Sequence, residues 1–525
     1  MCDDILIIVL SNIRVHVSTK YVSKRFNLLI SNNFGVVCKI CKTDDVDMLL
    51  KNKHLVEKHK YIDILFSGDF NEDISKLRVL ERVRKIVFGV DFNNSVDELP
   101  SSTVHLKFGY YFNQPINALP NKLEYLYFGD LFNKPIHSLP NTLKFLRLGY
   151  DYSYILNNLP PNLSYLSFHS FFWKVDDFVF PKKLSYLVFG IFDQPIDNIQ
   201  FPPNLTHLSF GNIFNQSIDC LSKMETLTHL ALYDNFNKSL DNLPPNLTHL
   251  ILEDDGIVRN DKFNQKIDRL PKSLKYLRLN GNFCQYTNDF PEDLIYLKLS
   301  DTYNGNINRL PRSIKYLYFG DNYNSALDGI PPNVKKLSLG YNFNKPINML
   351  SYNLVYLKLN CKFNQELDNL PTSLKVLDIG RCDNFTKSLS NLPKNLECLV
   401  LNKSFNEKLC ILPKGLKMLN MKKCDIFRHD IVGLSNDVTH IVLNKKHYLT
   451  SRDIFPNRIT HIYGLGRCTY SGLMNLPKSL LYVSYIYKSF GENKTPLDDI
   501  QHLRKEYVYS YSSFDEIIQC YDKEL

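Results

Sequence analysis

The sequence predicts a repeat solenoid, in which short parallel β-strands stack along most of the chain. Three observations lead to this prediction. An apolar residue followed by proline recurs every 20 to 22 residues, as at Leu99–Pro100, Leu119–Pro120 and Leu139–Pro140. The residues after each proline follow the pattern LxxLxL or LxxLxF, and a Phe-Asn pair commonly comes next. A fixed period of this length is typical of stacked coils that contact only their neighbours.

One short strand is predicted in each unit. In residues 132–151, for example, Leu146 and Leu148 alternate with Phe145 and Arg147, which is the pattern of a strand with one buried face. A glycine commonly follows the strand, and we expect it to allow a tight turn because glycine has few steric limits. A strand and two turns leave little chain in so short a unit, so we expect an extended return path and no long helix.

The Phe-Asn pair, for example Phe112–Asn113, completes the unit. Stacking of the coils would place each Leu and Phe over its counterpart, which gives one continuous core that no single unit could bury. The Asn residues are predicted to form a ladder, because their amides can satisfy backbone groups of their own turn and of the next coil.

These residues carry a family resemblance. The motif F-N-x-P-I-x-x-L-P, as in residues 112–120, resembles the FNIP repeat, a relative of the leucine-rich repeat found in social amoebae and giant DNA viruses. The resemblance extends over roughly residues 62–485. The sequence pattern LPxxLxxL also resembles the short leucine-rich repeats of bacterial effector proteins. This second resemblance supports the same solenoid geometry.

Residues 1–45 lie outside the repeat. Apolar residues at helical spacing near the start predict a small helical segment there; they are Ile5, Leu6, Val9, Leu10 and Ile13. The following line, residues 21–30, resembles the later part of an F-box, where V-S-K-x-[WF]-x-x-L is typical. The opening Leu-Pro of an F-box is missing here, and IRVHVS at 13–18 replaces its Leu-rich middle.

The F-box resemblance implies a ligase-docking role for this segment. Val22, Phe26 and Leu29 would form the apolar face that binds the linker protein of a cullin-type ubiquitin ligase. The alternative is a helical cap over the first coil, which every solenoid needs. Residues 46–490 are then expected to form the solenoid, with about 20 coils, and residues 491–525 a C-terminal cap that is partly helical.

Composition and charge exclude several functional classes. The formal net charge of +9 is spread over both signs without a basic run, so no nucleic-acid partner is expected. No stretch approaches the ~20 apolar residues of a membrane helix, so no membrane partner is expected. The twelve cysteines lack disulfide-framework spacing, and the start does not resemble a signal peptide. We therefore expect a cytoplasmic protein, in the host cytoplasm if the chain is viral.

No catalytic motif is evident. The sequence has no glycine-rich phosphate loop and no G-x-S-x-G motif, so we expect no enzyme, no catalytic residue and no cofactor. Cys38 and Cys41 form the only CxxC, and no second ligand pair accompanies them, so no metal site is expected. An effector-type ligase would need a separate domain with a reactive cysteine, and only some 35 residues follow the array.

Strand alternation does identify a candidate partner-binding surface. Residues between the inward Leu positions must point away from the core, on the side expected to be concave. In five neighbouring strands these outward residues are mostly tyrosine and basic: Tyr276, Arg278, Tyr296, Lys298, Tyr316, Tyr318, Lys336, Tyr356 and Lys358. Such a strip suits an acidic or phosphorylated protein surface. The alternative is that these residues only cover the sheet surface and bind no partner, because tyrosine also favours strands.

A second group of outward residues consists of histidines. Parallel strands in register would stack His207, His229 and His249 about 5 Å apart, close enough to share a metal or to titrate together. Aromatic packing on the sheet surface is the alternative, and we expect no metal.

The leading functional hypothesis is a non-catalytic interaction protein. The solenoid would capture a protein substrate on its concave face, and the F-box-like segment would connect it to the ligase linker protein and a cullin. The alternative is a plain FNIP-repeat scaffold with no ubiquitin link, whose N-terminus only caps the array.

Overall fold

The computed structural model describes most of the chain. The described residues are 6–8, 35–156, 158–170, 178–253, 262–279, 282–285, 289–465, 470–485 and 504–507. The chain divides into two compact units, and the division falls within one strand, β12 (His249–Glu253), between Leu250 and Ile251.

The first unit is a ladder of parallel strands in chain order. Each strand pairs with the next one along the chain, and one irregularity interrupts the register, between β3 and β4. The strands are β1 (Leu6–Ile8), β2 (Val36–Ile40), β3 (Ile62–Phe66), β4 (Val83–Val87), β5 (His105–Lys107), β6 (Tyr125–Tyr127), β7 (Phe145–Arg147), β8 (Tyr165–Ser170), β9 (Tyr186–Ile191), β10 (His207–Phe210) and β11 (His229–Tyr233).

The second unit continues the same pattern. Its strands are also parallel and paired in chain order, with a register shift between β22 and β23. They are β13 (Tyr276–Leu279), β14 (Tyr296–Lys298), β15 (Tyr316–Tyr318), β16 (Lys336–Ser338), β17 (Tyr356–Lys358), β18 (Val376–Asp378), β19 (Cys398–Val400), β20 (Met418–Asn420), β21 (His440–Val442), β22 (His461–Leu465), β23 (Tyr482–Tyr485) and β24 (Arg504–Tyr507).

Helices are few and short within the described residues. The α-helices are α1 (Thr43–Lys51), α2 (Lys53–Val56) and α3 (Tyr470–Met474), and the 3-10 helices span Ser75–Val79, Asp219–Lys223 and Leu409–Ile411. Elsewhere turns and irregular segments connect one strand to the next. The prediction of a parallel solenoid without long helices on the return path is therefore confirmed.

The predicted core of stacked Leu and Phe is present in both units. Leu146 lies opposite Leu126 and Leu166 and is fully buried. The ring centroid of Phe112 lies 6.2 Å from that of Phe92 and 5.8 Å from that of Phe132. Each unit of sequence thus supplies one layer of a continuous apolar column, and the layers stabilise one another by mutual burial.

The predicted asparagine ladder is also present. The backbone N–H of Asn113 donates to Oδ1 of Asn93 at 2.8 Å, and the N–H of Asn133 donates to Oδ1 of Asn113 at 3.0 Å. In the second unit the N–H of Asn344 donates to Oδ1 of Asn324 at 2.9 Å. Each side chain therefore satisfies a backbone donor of the following coil, at a turn where the strand ladder offers no acceptor.

The recurrent glycine after the strand has a different cause from the one expected. The described glycines with positive φ are Gly433 and Gly464, and neither belongs to the recurrent series. At Gly109, a Cβ atom would lie 1.7 Å from the carbonyl oxygen of Gly89, and at Gly129 it would lie 1.8 Å from that of Gly109. At Gly109 and Gly129, glycine is required because the backbones of neighbouring coils approach too closely there for any side chain.

The start of the chain departs from expectation, and most of its C-terminal segment lies outside the described residues. Leu6–Ile8 were expected to be helical, but they form a strand paired with Val36–Cys38. In-register parallel pairing with three apolar residues of β2 favours the extended backbone there. Val22, Phe26 and Leu29 lie outside the described residues, so the structure does not locate the proposed docking face. Of residues 491–525, β24 is described, and it pairs with β23 as a further strand of the ladder.

Candidate partner-binding surface

The nine residues of the predicted strip lie on one face of the second unit. They occupy the strand positions that flank the buried leucines of β13 to β17, on the side that we call the outer strand face. The register places Tyr276 opposite Tyr296 and Arg278 opposite Lys298. The fold thus brings residues that are twenty positions apart in the sequence into direct lateral contact.

Tyrosine rings form the centre of this strip. The rings of Tyr276 and Tyr296 stack with centroids 4.1 Å apart, and Tyr318 lies 5.1 Å from Tyr296 in a tilted arrangement. Burial raises the pKa of Tyr296 well above its usual range, and the neighbouring Tyr276 and Tyr318 raise it further. The Tyr296 hydroxyl therefore stays neutral and can donate a hydrogen bond. Stacking holds the rings in defined positions, which lowers the entropy lost on binding.

The cations at one end of the strip are held by their neighbours. The Nζ atom of Lys336 lies 4.5 Å from the ring centroid of Tyr356 and 5.8 Å from that of Tyr318, which is cation–π geometry. The Nζ atom of Lys358 lies 3.6 Å from a carboxylate oxygen of Asp378 on β18. Asp378 is not among the residues predicted from the sequence. Because this carboxylate pairs with Lys358, the basic strip ends at β17.

One member of the strip is not available to a partner. Tyr356 was expected to be exposed on the outer strand face, but only 5% of its surface is accessible. It packs in a cluster with Val376, Cys398 and Met418, all of which are buried outer residues of the next three strands. The expectation failed because strand alternation gives the direction of a side chain and carries no information on what covers it.

The three histidines stack as predicted, and more closely than expected. The ring centroids of His207 and His229 are 3.9 Å apart, and those of His229 and His249 are 4.0 Å apart. Burial lowers the pKa of all three imidazoles. For His229 the fall is to about 4, because the positive charges that its two neighbours would carry add to the effect of burial.

Threonine fixes the tautomer of these histidines. Oγ1 of Thr228 donates to the backbone carbonyl of Thr206 and lies 2.8 Å from Nδ1 of His229. Because its one proton is engaged with that carbonyl, the hydroxyl accepts a hydrogen bond from Nδ1–H, and the lone pair of the imidazole lies on Nε2. Thr206 and Thr248 contact His207 and His249 in the same way.

This arrangement does not form a metal site. The planes of neighbouring histidine rings differ by 16° and 12°, so their Nε2 lone pairs run nearly parallel and do not converge on one point. Among the residues that the structure describes, no group of three or more His, Cys, Asp or Glu side chains is placed to hold a metal ion. The described helices also include none that is long and apolar enough to cross a membrane.

Sequence reasoning missed a second feature of the outer strand face. On β17 to β22 six outer residues form a buried apolar cluster, in contrast with the half-buried tyrosines of β14 and β15; they are Tyr356, Val376, Cys398, Met418, Val442 and Tyr463. A signal was present in the sequence, since residues 398–401 read CLVL and lose the alternation of the other units. Continuous apolar strands are typical of sheets that are covered on both faces.

Comparison with known proteins supports the repeat interpretation. The FNIP repeat matches residues 92–131, 132–171, 176–213, 192–222, 286–322, 305–342 and 323–351. The chain resembles a solved structure described as CroV588, a novel circular LRR protein, with 28% identity and a TM-score of 0.57 over 91% of this chain and 82% of that one. YopM from Yersinia enterocolitica WA-314 is 18% identical, with a TM-score of 0.36 over 85% of this chain and 89% of that one.

No curated protein is significantly similar to the chain. The matched repeats and the fold nevertheless agree with each other, because the FNIP segments coincide with strands of the ladder in both units. The chain is thus a parallel β-solenoid of about 19 turns, with units of about 21 residues, that contains FNIP repeats and resembles leucine-rich-repeat proteins in structure.

Proposed function

We propose that the protein is a non-catalytic scaffold that binds another protein through the outer strand face of its second unit. The observation that supports this most strongly is the in-register strip of stacked tyrosines and cations on β13 to β17. Tyrosine and arginine are enriched at the positions that contribute most to binding energy in protein interfaces. Leucine-rich-repeat proteins generally bind protein partners, which is consistent with this function.

The charge of the strip defines the chemistry of the partner. Arg278, Lys298 and Lys336 lie among the tyrosines, and no outer position of β13 to β17 is acidic. An acidic or phosphorylated surface would gain charge-assisted hydrogen bonds from these cations. The positive field would also accelerate encounter in a salt-dependent manner.

Charge reversal tests this proposal. The triple variant Arg278→Glu, Lys298→Glu and Lys336→Glu should lose at least about tenfold in affinity for the co-purified partner, because three attractions become repulsions. The control variant reverses three exposed cations in the turns of the same unit, Lys266, Arg312 and Lys345, and so carries the same net charge. Equal loss of binding in both variants, or in neither, would place the partner elsewhere.

A narrower role as a ubiquitin-ligase adaptor rests on the N-terminal sequence. The line YVSKRFNLLI at residues 21–30 resembles part of an F-box, so Val22, Phe26 and Leu29 would dock the ligase linker protein and, through it, a cullin. This role places the protein in the cytoplasm, of the host cell if the chain is viral. Without a ligase link, the protein remains a FNIP-repeat scaffold whose N-terminus caps the array.

Alanine substitution separates these two possibilities. Changing Val22, Phe26 and Leu29 together to alanine should abolish co-purification of the linker and the cullin, while the charge-reversed strip variant should still recover both. Quantitative mass spectrometry of the purified complexes provides the measurement. If the unmodified protein recovers no linker, the adaptor role is wrong and the scaffold role stands.

A further inference from the structure

Four consecutive coils of the first unit align their side chains at the turns that follow β4, β5, β6 and β7. We call these turn residues the turn patch; they are residues 90–91, 110–111, 130–131 and 150–151. The backbone N–H of Tyr111 donates to the carbonyl of Val90 at 3.0 Å, and the N–H of Asp151 donates to that of Asp130 at 2.8 Å. An equivalent bond joins the two middle turns. The turns therefore form a regular ladder beside the strands.

The turn patch exposes three tyrosine rings. Tyr110, Tyr111 and Tyr150 are between 45 and 49% accessible, which is unusual for large aromatic side chains. The rings of Tyr110 and Tyr111 contact each other edge to face, with centroids 4.9 Å apart, and Tyr150 lies 5.0 Å from the ring of His169. These contacts restrict the rings, so a partner that packs on them loses less conformational entropy.

The turn patch is also acidic, although the chain as a whole has a formal net charge of +9. Its charged residues are Asp91, Asp130 and Asp151, and none of its eight positions is Lys or Arg. Within the part of the chain that the structure describes, these three carboxylates form no salt bridge and accept no hydrogen bond. Exposed tyrosines beside unpaired carboxylates suit a basic partner.

Tyrosine and aspartate alternate along the four turns. Aspartate begins the pattern at Asp91 in the first turn and recurs at Asp130 in the third, whereas tyrosine occupies the second and fourth turns. Neighbouring strands lie ~4.8 Å apart, so each kind of residue recurs about every 9.6 Å. A polyproline II helix, with three residues per turn at 3.1 Å each, repeats every ~9.3 Å. An α-helix repeats every ~5.4 Å, which matches single coils and not alternate ones.

We propose that the turn patch binds a basic, proline-rich segment of a partner in the polyproline II conformation. Prolines three residues apart would pack on Tyr110 and Tyr150, and arginines between them would pair with Asp91 and Asp130. Aromatic surfaces bind such segments well because a polyproline II helix is already extended and loses little entropy. This partner differs in charge from the one proposed for β13 to β17, and the inference does not depend on that proposal.

A synthetic peptide of four Pro-Pro-Arg repeats provides the probe. Fluorescence anisotropy of the labelled peptide with the full chain should show saturable binding that weakens as salt is added, because charge pairs contribute to it. Four Ala-Ala-Arg repeats keep the charge without the polyproline II conformation, and four Pro-Pro-Glu repeats keep the conformation with the opposite charge. Each of these control peptides should bind at least about tenfold more weakly.

Substitution of two tyrosines locates the binding site. Tyr110→Ala with Tyr150→Ala should weaken binding of the Pro-Pro-Arg peptide at least about tenfold, because both rings that contact proline are removed. The matched control is Tyr341→Ala with Tyr352→Ala, which removes two exposed tyrosines from turns of the second unit and should leave the affinity unchanged. Circular dichroism should give all three proteins the same thermal unfolding, since these rings lie on the surface.

Substitution of two carboxylates tests the charge contribution without removing a ring. Asp91→Asn with Asp130→Asn should weaken binding of the same peptide and reduce its dependence on salt, because two charge pairs are lost. Unchanged affinity and salt dependence in this variant would contradict the proposed pairing.

Other results also overturn the proposal. Failure of the Pro-Pro-Arg peptide to bind would show that the turn patch does not recognise this class of segment. Equal binding of the Ala-Ala-Arg peptide would show that charge alone attracts the probe, and equal binding of the Pro-Pro-Glu peptide would show that the carboxylates do not select it. Equal losses in the two tyrosine variants would place the peptide outside the turn patch.

Discussion

His229 is the middle ring of three stacked imidazoles, and its position determines how it titrates. Burial and the two adjacent histidines lower its pKa from 6.5 to about 4. The unfolded chain therefore binds more protons than the folded one between about pH 6.5 and pH 4. Stability from the neutral stack is complete above this window and is lost as the pH falls through it.

The pH dependence of unfolding should report this histidine. We expect the free energy of unfolding of the unmodified protein to fall between pH 7 and pH 4.5, and His229→Phe to reduce that fall. Phenylalanine suits the site because Phe145 stacks at the equivalent position, 4.0 Å from Tyr165. His54→Phe, at an exposed site, is the control. Identical pH profiles for the protein and its His229→Phe variant would contradict the account of the stack.

Asn113 illustrates how one side chain stabilises the following coil. Asn113→Ala would leave the N–H of Asn133 without its acceptor and should cost about 1–2 kcal/mol. Asn113→Asp keeps an acceptor at the same place and should cost less, because Asp193 already accepts from the N–H of Asn215 at 2.9 Å. Denaturant unfolding of both variants provides the measurement. Equal destabilisation would show that the ladder bond is not what the residue contributes.

At the scale of the strand, the glycine that follows β5 accommodates a close approach between two neighbouring coils. A Cβ at Gly109 would lie 1.7 Å from the carbonyl oxygen of Gly89, so one methyl group would force two coils apart. We expect Gly109→Ala to destabilise the protein by ~2–4 kcal/mol. At Gly68, no atom lies within 4 Å of the position that a Cβ atom would take, so Gly68→Ala should be nearly neutral. Similar melting of the two variants would refute close approach as the reason for glycine.

The elements also show what a sequence period can predict. Strand positions, register and the asparagine ladder follow from the period, because each is a contact between identical places in neighbouring units. The burial of Tyr356 does not follow from it, since strand alternation gives the direction of a side chain and not what packs around it. The strand at Leu6–Ile8 was missed for a related reason, because its apolar residues also fit a helical spacing and its partner strand β2 precedes the recognisable repeats.

At the scale of the whole molecule, the repeat converts a linear sequence into laterally aligned surfaces. The first unit presents a group of stacked histidines, and the second presents a strip of tyrosines and cations next to a cluster of buried apolar residues. Each of these surfaces is assembled from single residues that lie about one repeat apart. A substitution in one coil therefore changes one position of a surface and leaves its neighbours in register.

Site-specific photocrosslinking tests the proposed binding surface most directly. A photoreactive phenylalanine analogue placed at Tyr318, in the strip, should crosslink to the co-purified partner, because this half-buried ring lies among the cations of the interface. The same analogue at Tyr352, which is 72% exposed in a turn of the same unit, should not. Crosslinks from Tyr352 with none from Tyr318 would contradict the account.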